Sequence, residues 1–147
     1  MAKKSVERPI SEITLRKYEK PSKNMDKREL CKKICLSLGL LQPGDTRDTI
    51  VDILHILLKA KQPLTASEII AKSAKNRKKY KLSDLGLTYP NVSRQLRRLK
   101  DLMIIESRAD KYRLNENDKL KNIFNEKIMG FYLESVKERI NLYLDEL

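Results

Sequence analysis

The stretch Leu87-Thr-Tyr-Pro-Asn-Val-Ser-Arg-Gln-Leu-Arg-Arg-Leu-Lys-Asp-Leu-Met103 decides how this 147-residue chain folds. Val92, Leu96, Leu99 and Met103 fall at i, i+4, i+7 and i+11, the spacing of one buried helix face. Thr88 is placed to cap that helix, and Pro90 sits in its first turn, where the missing N–H breaks no bond. With Val92 at zero and roughly 100° per residue, Arg94 and Arg97 lie opposite it, flanked by Asn91, Ser93 and Arg98. Arg can pair bidentately with guanine, Asn with adenine, and Ser with base or backbone. A helix held by one face and carrying these groups on the other is suited to read DNA. The plainer reading of the same residues is a solvated basic surface helix.

The flanks supply the rest of a domain. Thr65-Ala-Ser-Glu68 is a capping box ahead of a helix that turns Ile69, Ile70 and Ala74 inward. Before it, Thr46 to Lys61 predicts a longer helix with Ile50, Ile53, Leu54, Leu57 and Leu58 on its core side, Asp45 as cap and Pro63 as stop. After the Leu87–Met103 stretch, Ile104-Ile-Glu-Ser107 and Lys111-Tyr-Arg-Leu114 are short strand-like runs around the polar turn Arg108-Ala-Asp110. The predicted order is helix, helix, recognition helix, hairpin.

This order resembles the winged helix-turn-helix domain of prokaryotic and archaeal transcription regulators. The resemblance rests on Leu64-Thr-Ala-Ser-Glu-Ile-Ile, on Tyr89-Pro-Asn-Val-Ser-Arg-Gln-Leu-Arg-Arg-Leu, and on Leu102-Met-Ile-Ile-Glu followed by Lys111-Tyr-Arg-Leu. It covers about residues 46–115. Arg8-Pro-Ile-Ser-Glu-Ile-Thr-Leu-Arg-Lys-Tyr-Glu is similar to the start of archaeal predicted winged-helix regulators. The resemblance implies a mainly α fold with a small β-hairpin and a double-stranded DNA partner; the residues themselves offer no catalytic constellation and no cofactor motif, so no enzymatic activity and no cofactor are expected. Two departures stand out. Met103 occupies the place where such regulators often carry Gly, and Asn76 to Gly86 is longer than the usual turn between the second and third helices.

Charge is concentrated around that domain. The chain carries a formal net charge of +12, with +6 in residues 1–44, +8 in 45–115 and −2 in 116–147. Such a balance favours a polyanionic partner. Lys75, Arg77, Lys78, Lys79 and Lys81 crowd the segment ahead of the recognition helix, where a basic loop can follow a phosphate backbone or simply be solvated. Arg108, Lys111 and Arg113 sit in or beside the hairpin tip, with a minor-groove contact or solvent as alternatives.

The chain divides into a basic arm (1–25), the helix-turn-helix domain with an extra N-terminal helix (26–115) and a C-terminal dimerisation helix (116–147). The extra helix spans about Lys27 to Leu38, capped by Asp26, ended by Gly39, and packed through Leu30, Ile34 and Leu38, with Cys31 a further candidate for that face. The last segment predicts one helix from about Glu116 to Glu146. Leu120, Ile123, Phe124, Ile128 and Phe131 would dock on the core. Leu133, Val136, Ile140, Tyr143 and Leu147 alternate steps of three and four, the seam spacing of a coiled coil, and predict a homodimer. The arm could track DNA, clasp a partner subunit or stay partly ordered.

Other chemistries find little support. Cys31, Cys35 and the sole histidine, His55, offer up to three metal ligands, but the cysteines lack a Cys-x-x-Cys loop and free cysteine often behaves as a small buried hydrophobe. The four glycines are scattered, so no phosphate-cradling loop exists, and no nucleophile elbow is present. No run of 18 apolar residues occurs, and Met1 to Asn24 lacks the order of a signal peptide. A cytoplasmic, sequence-specific DNA-binding regulator, dimeric on a pseudo-palindromic site, is the expected function. The alternative is a winged-helix module for non-specific DNA binding, RNA binding or protein assembly.

Overall fold

The computed structural model describes residues 7–147, so the first six residues of the expected arm lie outside it. The elements are α1 (Lys27–Ser37), α2 (Thr49–Lys59), β1 (Leu64–Thr65), α3 (Ala66–Lys79), α4 (Tyr89–Asp101), β2 (Ile105–Arg108) and β3 (Lys111–Leu114). A 3₁₀ turn (Asn115–Asn117) leads to α5 (Leu120–Ile123), which continues through π-type turns (Phe124–Tyr132) into α6 (Leu133–Asp145). The molecule is mainly helical, with one three-stranded antiparallel sheet in the order β1-β3-β2.

Local chemistry sets the helix starts. Asp26 accepts from the Arg28 N–H (2.9 Å) at α1, and the Thr65–Glu68 capping box opens α3 with bonds of 2.9 and 3.2 Å. Thr88 Oγ1 accepts from the Asn91 N–H (3.3 Å) at α4. Each satisfies amides that have no partner inside the helix. Asp45 does not cap α2. The helix begins three residues later than its apolar pattern predicts, Asp48 takes the cap position without a capping bond, and Asp45 accepts from the Gln42 N–H instead. The Asp48 carboxylate is turned towards two arginines, as described below.

The helix ends share one device. After α1, α3 and α4 the chain passes through a left-handed residue, and the next N–H reaches back to the carbonyl five residues earlier (Leu40 to Cys35, Leu82 to Arg77, Ile104 to Leu99). Gly39 (φ 72°) does this without cost, and an added Cβ there would sit 2.5 Å from Thr14 of the arm. Lys81 (φ 57°) and Met103 (φ 67°) do it with side chains attached. Met103 therefore makes the same exit a glycine would, at about 1–2 kcal/mol of local strain. The Asn115 amide donates to its carbonyl (3.0 Å) and helps hold it.

The core lies between α2, α3, α4 and the sheet. Ile53, Leu54, Ile69, Val92, Leu96, Leu99 and Ile104 are fully buried. On α1 Cys31 and Cys35 are buried, as is Leu38 at the helix end; Cys31 and Leu38 pack as expected, while Leu30 and Ile34 are only half-buried because Cys35 takes the inner side. Strand β1 was not legible: two residues have no periodicity, and Leu64 and Thr65 become a strand only by pairing with Tyr112 and Lys111. The hairpin closes through Ala109 and Asp110, both left-handed, the geometry of a two-residue turn that suits twisted strands.

The C-terminal helix starts later than predicted. Glu116 and Asn117 have positive φ and break the chain direction, so helix begins at Leu120. Ile123 and Ile128 are buried and Leu120 and Phe124 half-buried, as their pattern predicts. The π-type turns shift the phase of the following residues, and Phe131 is 58% exposed rather than docked.

Candidate nucleic-acid interface

Helix α4 is fixed by Val92, Leu96 and Leu99, each at most 1% exposed, and turns Arg94 and Arg97 to solvent. Neither arginine has a carboxylate partner among the described residues. Asn91 is already occupied. Its amide donates to the Gly86 carbonyl (2.7 Å), and its oxygen accepts from Arg94 Nη2 (2.8 Å) and Gln95 Nε2 (3.2 Å). In this arrangement Asn91 braces the helix start and aims Arg94 instead of offering a free amide. Ser93 is half-buried at the edge of the exposed face. Arg98, expected from the sequence to flank the DNA contact, is half-buried and donates to Gln95 (2.8 Å) and to the Gly39 carbonyl at the end of α1 (3.2 Å).

The hairpin presents a second basic surface. Arg108 faces Lys111 and Glu106 faces Arg113 across the ladder, so all four share one sheet face. Arg113 pairs with Glu106 (2.7 Å), leaving Arg108 and Lys111 at the exposed tip.

The basic run ahead of α4 is not a loop. Lys75, Lys78 and Lys79 belong to α3, and only Lys81 lies beyond it. Turning roughly 100° per residue from Glu68, Lys72, Lys75 and Lys79 fall within about 40° of it, whereas Lys78 lies about 80° away. Helix geometry thus divides the run between faces. Arg77 points inward and is 4% exposed. It donates to Asp48 Oδ1 (2.9 Å), Asp52 Oδ2 (2.6 Å) and the Ser83 carbonyl. Arg28 of α1 reaches the same carboxylates, with Nε on Asp52 Oδ1 (3.1 Å) and Nη2 on Asp48 Oδ2 and Asp52 Oδ2 (both 3.0 Å). The two guanidiniums and two carboxylates form a neutral buried cluster joining α1, α2 and α3. Burial opposes the charge on Asp48, but Arg77 and Arg28 more than offset it and hold its carboxyl below the usual range. Sequence reading missed this cluster because a lone charge in an apolar pattern carries no sign of its partner.

His55 borders the cluster. Asn76 Nδ2 lies 3.3 Å from Asp52 Oδ1 and 3.0 Å from His55 Nδ1. Facing a carboxylate oxygen, that nitrogen must be a donor, so Nδ1 accepts and the ring is neutral. Burial, and then Lys59, push the His55 pKa below its ordinary 6.5. The unfolded chain therefore takes up a proton on His55 before the folded one does. Stability should fall as pH drops below about 6.5, level off below the folded pKa, and fall again below about 3.8 as the Asp48 carboxylate is lost. Urea denaturation from pH 7.5 to 3 checks this. A stability constant between pH 7 and 5 would remove His55 from the account, since no other histidine exists.

The predicted seam divides along α6. Leu133 and Val136 are half-buried, while Ile140 (53%), Tyr143 (72%) and Leu147 (101%) are exposed. Leu144, also exposed, lies beside them on the helix wheel. Part of the arm is bound to its own chain. Arg16 donates to the carbonyls of Leu36 (2.7 Å) and Leu41 (3.2 Å), and Tyr132 donates to the Glu12 carbonyl (2.8 Å). The cysteine thiols are free and buried; burial pushes Cys31 up to about 11 and Cys35 higher still. No helix of the described residues is long and apolar enough to cross a membrane. No family model, curated protein or solved structure matches the chain.

Proposed function

We propose that this chain is a sequence-specific, double-stranded DNA-binding transcription regulator that acts as a homodimer on a pseudo-palindromic site. The observation that carries this reading is the split character of α4: three buried aliphatic residues anchor it, and two exposed arginines without carboxylate partners stand opposite them. The surroundings support it. Helices α2, α3 and α4, with β1 between the first two and a β2–β3 hairpin after the third, follow the order of a winged helix-turn-helix domain. Such a domain lays its third helix in the major groove. Arg108 and Lys111 extend the basic surface at the hairpin tip, where they would meet phosphates or the minor groove.

Arg94→Ala and Arg97→Ala should each cost about 1–3 kcal/mol on a preferred site and relax base preference there. A random-library selection with the purified protein identifies the site, and fluorescence anisotropy measures the loss. Unchanged affinity in both variants would take α4 out of the groove. The bracing of Asn91 favours a second reading, non-specific duplex binding, because it removes one base-reading amide. The library separates the two, since a backbone binder enriches no sequence.

A further inference from the structure

Away from α4, the C-terminal end of α2, the following turn and one flank of α3 border an open cleft of about 630 Å³. Lys59, Lys61, Lys72, Lys75 and Lys79 line it, with Glu68 as its one carboxylate. None of the five lysines forms an ion pair among the described residues. Glu68 is committed to the capping box, where it accepts from the Thr65 N–H (2.9 Å). The cleft therefore gathers five like charges that repel one another against the single carboxylate of Glu68, a clear excess of positive charge. Its size is that of a small-molecule site, and its lining is mixed rather than uniformly charged. Ile56, Pro63 and Leu64 give it an apolar wall beside the ammonium groups.

We infer that this cleft is a second anion site, one that binds an oligophosphate chain. Lysine ammoniums are mobile point charges that suit successive phosphates without demanding one geometry. Five of them round a concave surface match a short run of negative charges better than a single carboxylate. The lining contains no residue of α4 or of the hairpin, so the site is separate from the surface proposed to read DNA and does not depend on that reading. Lys75 and Lys79 take this role because α3 carries them to its α2 side. The phosphates can come from a free nucleotide, whose ring would lie on Pro63 and Leu64, or from the backbone of a second nucleic-acid segment.

Calorimetric titration of the full chain with inorganic tripolyphosphate tests the site. Saturable binding is expected, weakened at least tenfold by the double substitution Lys72→Gln/Lys75→Gln and unchanged by Arg94→Ala/Arg97→Ala. Both substituted lysines are exposed, so folding should persist. A nucleoside triphosphate that binds more tightly than tripolyphosphate identifies the free-nucleotide source. A short duplex that still binds the arginine variant and displaces tripolyphosphate identifies the backbone source. Absence of saturable binding, equal affinity in the lysine variant, or loss in the arginine variant would each overturn the site, and the last would place the anion on α4.

Discussion

Asp52→Ala is expected to destabilise the protein by about 3–5 kcal/mol, measured by urea denaturation at neutral pH. Asp52 is fully buried and accepts from Arg28, Arg77 and Asn76 at once. Removing it leaves two buried guanidiniums sharing the single carboxylate of Asp48. An uncompensated charge in a low-dielectric interior is what makes breaking such a cluster costly. Against a total stability of roughly 5–15 kcal/mol for a domain, the loss would bring the chain close to unfolding at 37 °C. Replacing Asp52 with Leu and Arg77 with Met together should cost less than either change alone, because the remaining Arg28–Asp48 pair stays balanced. A loss under 1 kcal/mol for Asp52→Ala would show that water or neighbouring groups readily compensate the arginines.

Ile140→Glu should convert a dimer into a folded monomer and lower affinity for a two-half-site duplex by roughly 10²–10⁴-fold. Ile140, Tyr143, Leu144 and Leu147 form an apolar ridge that nothing among the described residues covers. Continuous exposed ridges of this kind are uncommon on monomers, and pairing two copies about a twofold axis would cover both. The same pairing would carry two copies of α4 to one duplex. Breaking it loses the gain from tethering the second head while each head keeps its own contacts. Analytical ultracentrifugation of wild type and variant gives the oligomeric state, and anisotropy on one-half-site and two-half-site duplexes gives the affinity. A wild type that sediments as a monomer at tens of micromolar would assign the ridge to some other cover.

Much of the architecture was already legible in local chemistry. Thr65 with Glu68, Thr88 with Pro90, and Asp26 each mark a helix start through the groups they offer to unpaired amides, and all three act there. The apolar stripe Val92, Leu96 and Leu99 fixed which side of α4 is buried, and so which arginines are exposed. Two short strand-like runs around a polar turn marked the hairpin. These signals are short-range, carried by residues at most four apart or by one face of one element.

What the sequence could not determine depends on partners distant in the chain. Arg77 is written in the same run as Lys75, Lys78 and Lys79, and only the packing of α1 and α2 against α3 makes it a buried ion while its neighbours stay in water. Asp48 reads as an ordinary first-turn acid of the helix predicted from Thr46 until Arg28 and Arg77 meet it, and β1 exists only through its bonds to β3. Met103 takes the left-handed conformation of a glycine because the Leu99 carbonyl, the Ile104 N–H and the Asn115 amide hold it there. Capping and periodicity are local energies that a sequence displays directly. Ion pairing, strand pairing and strain are decided by which surfaces the folded chain brings together, and that information exists only in three dimensions.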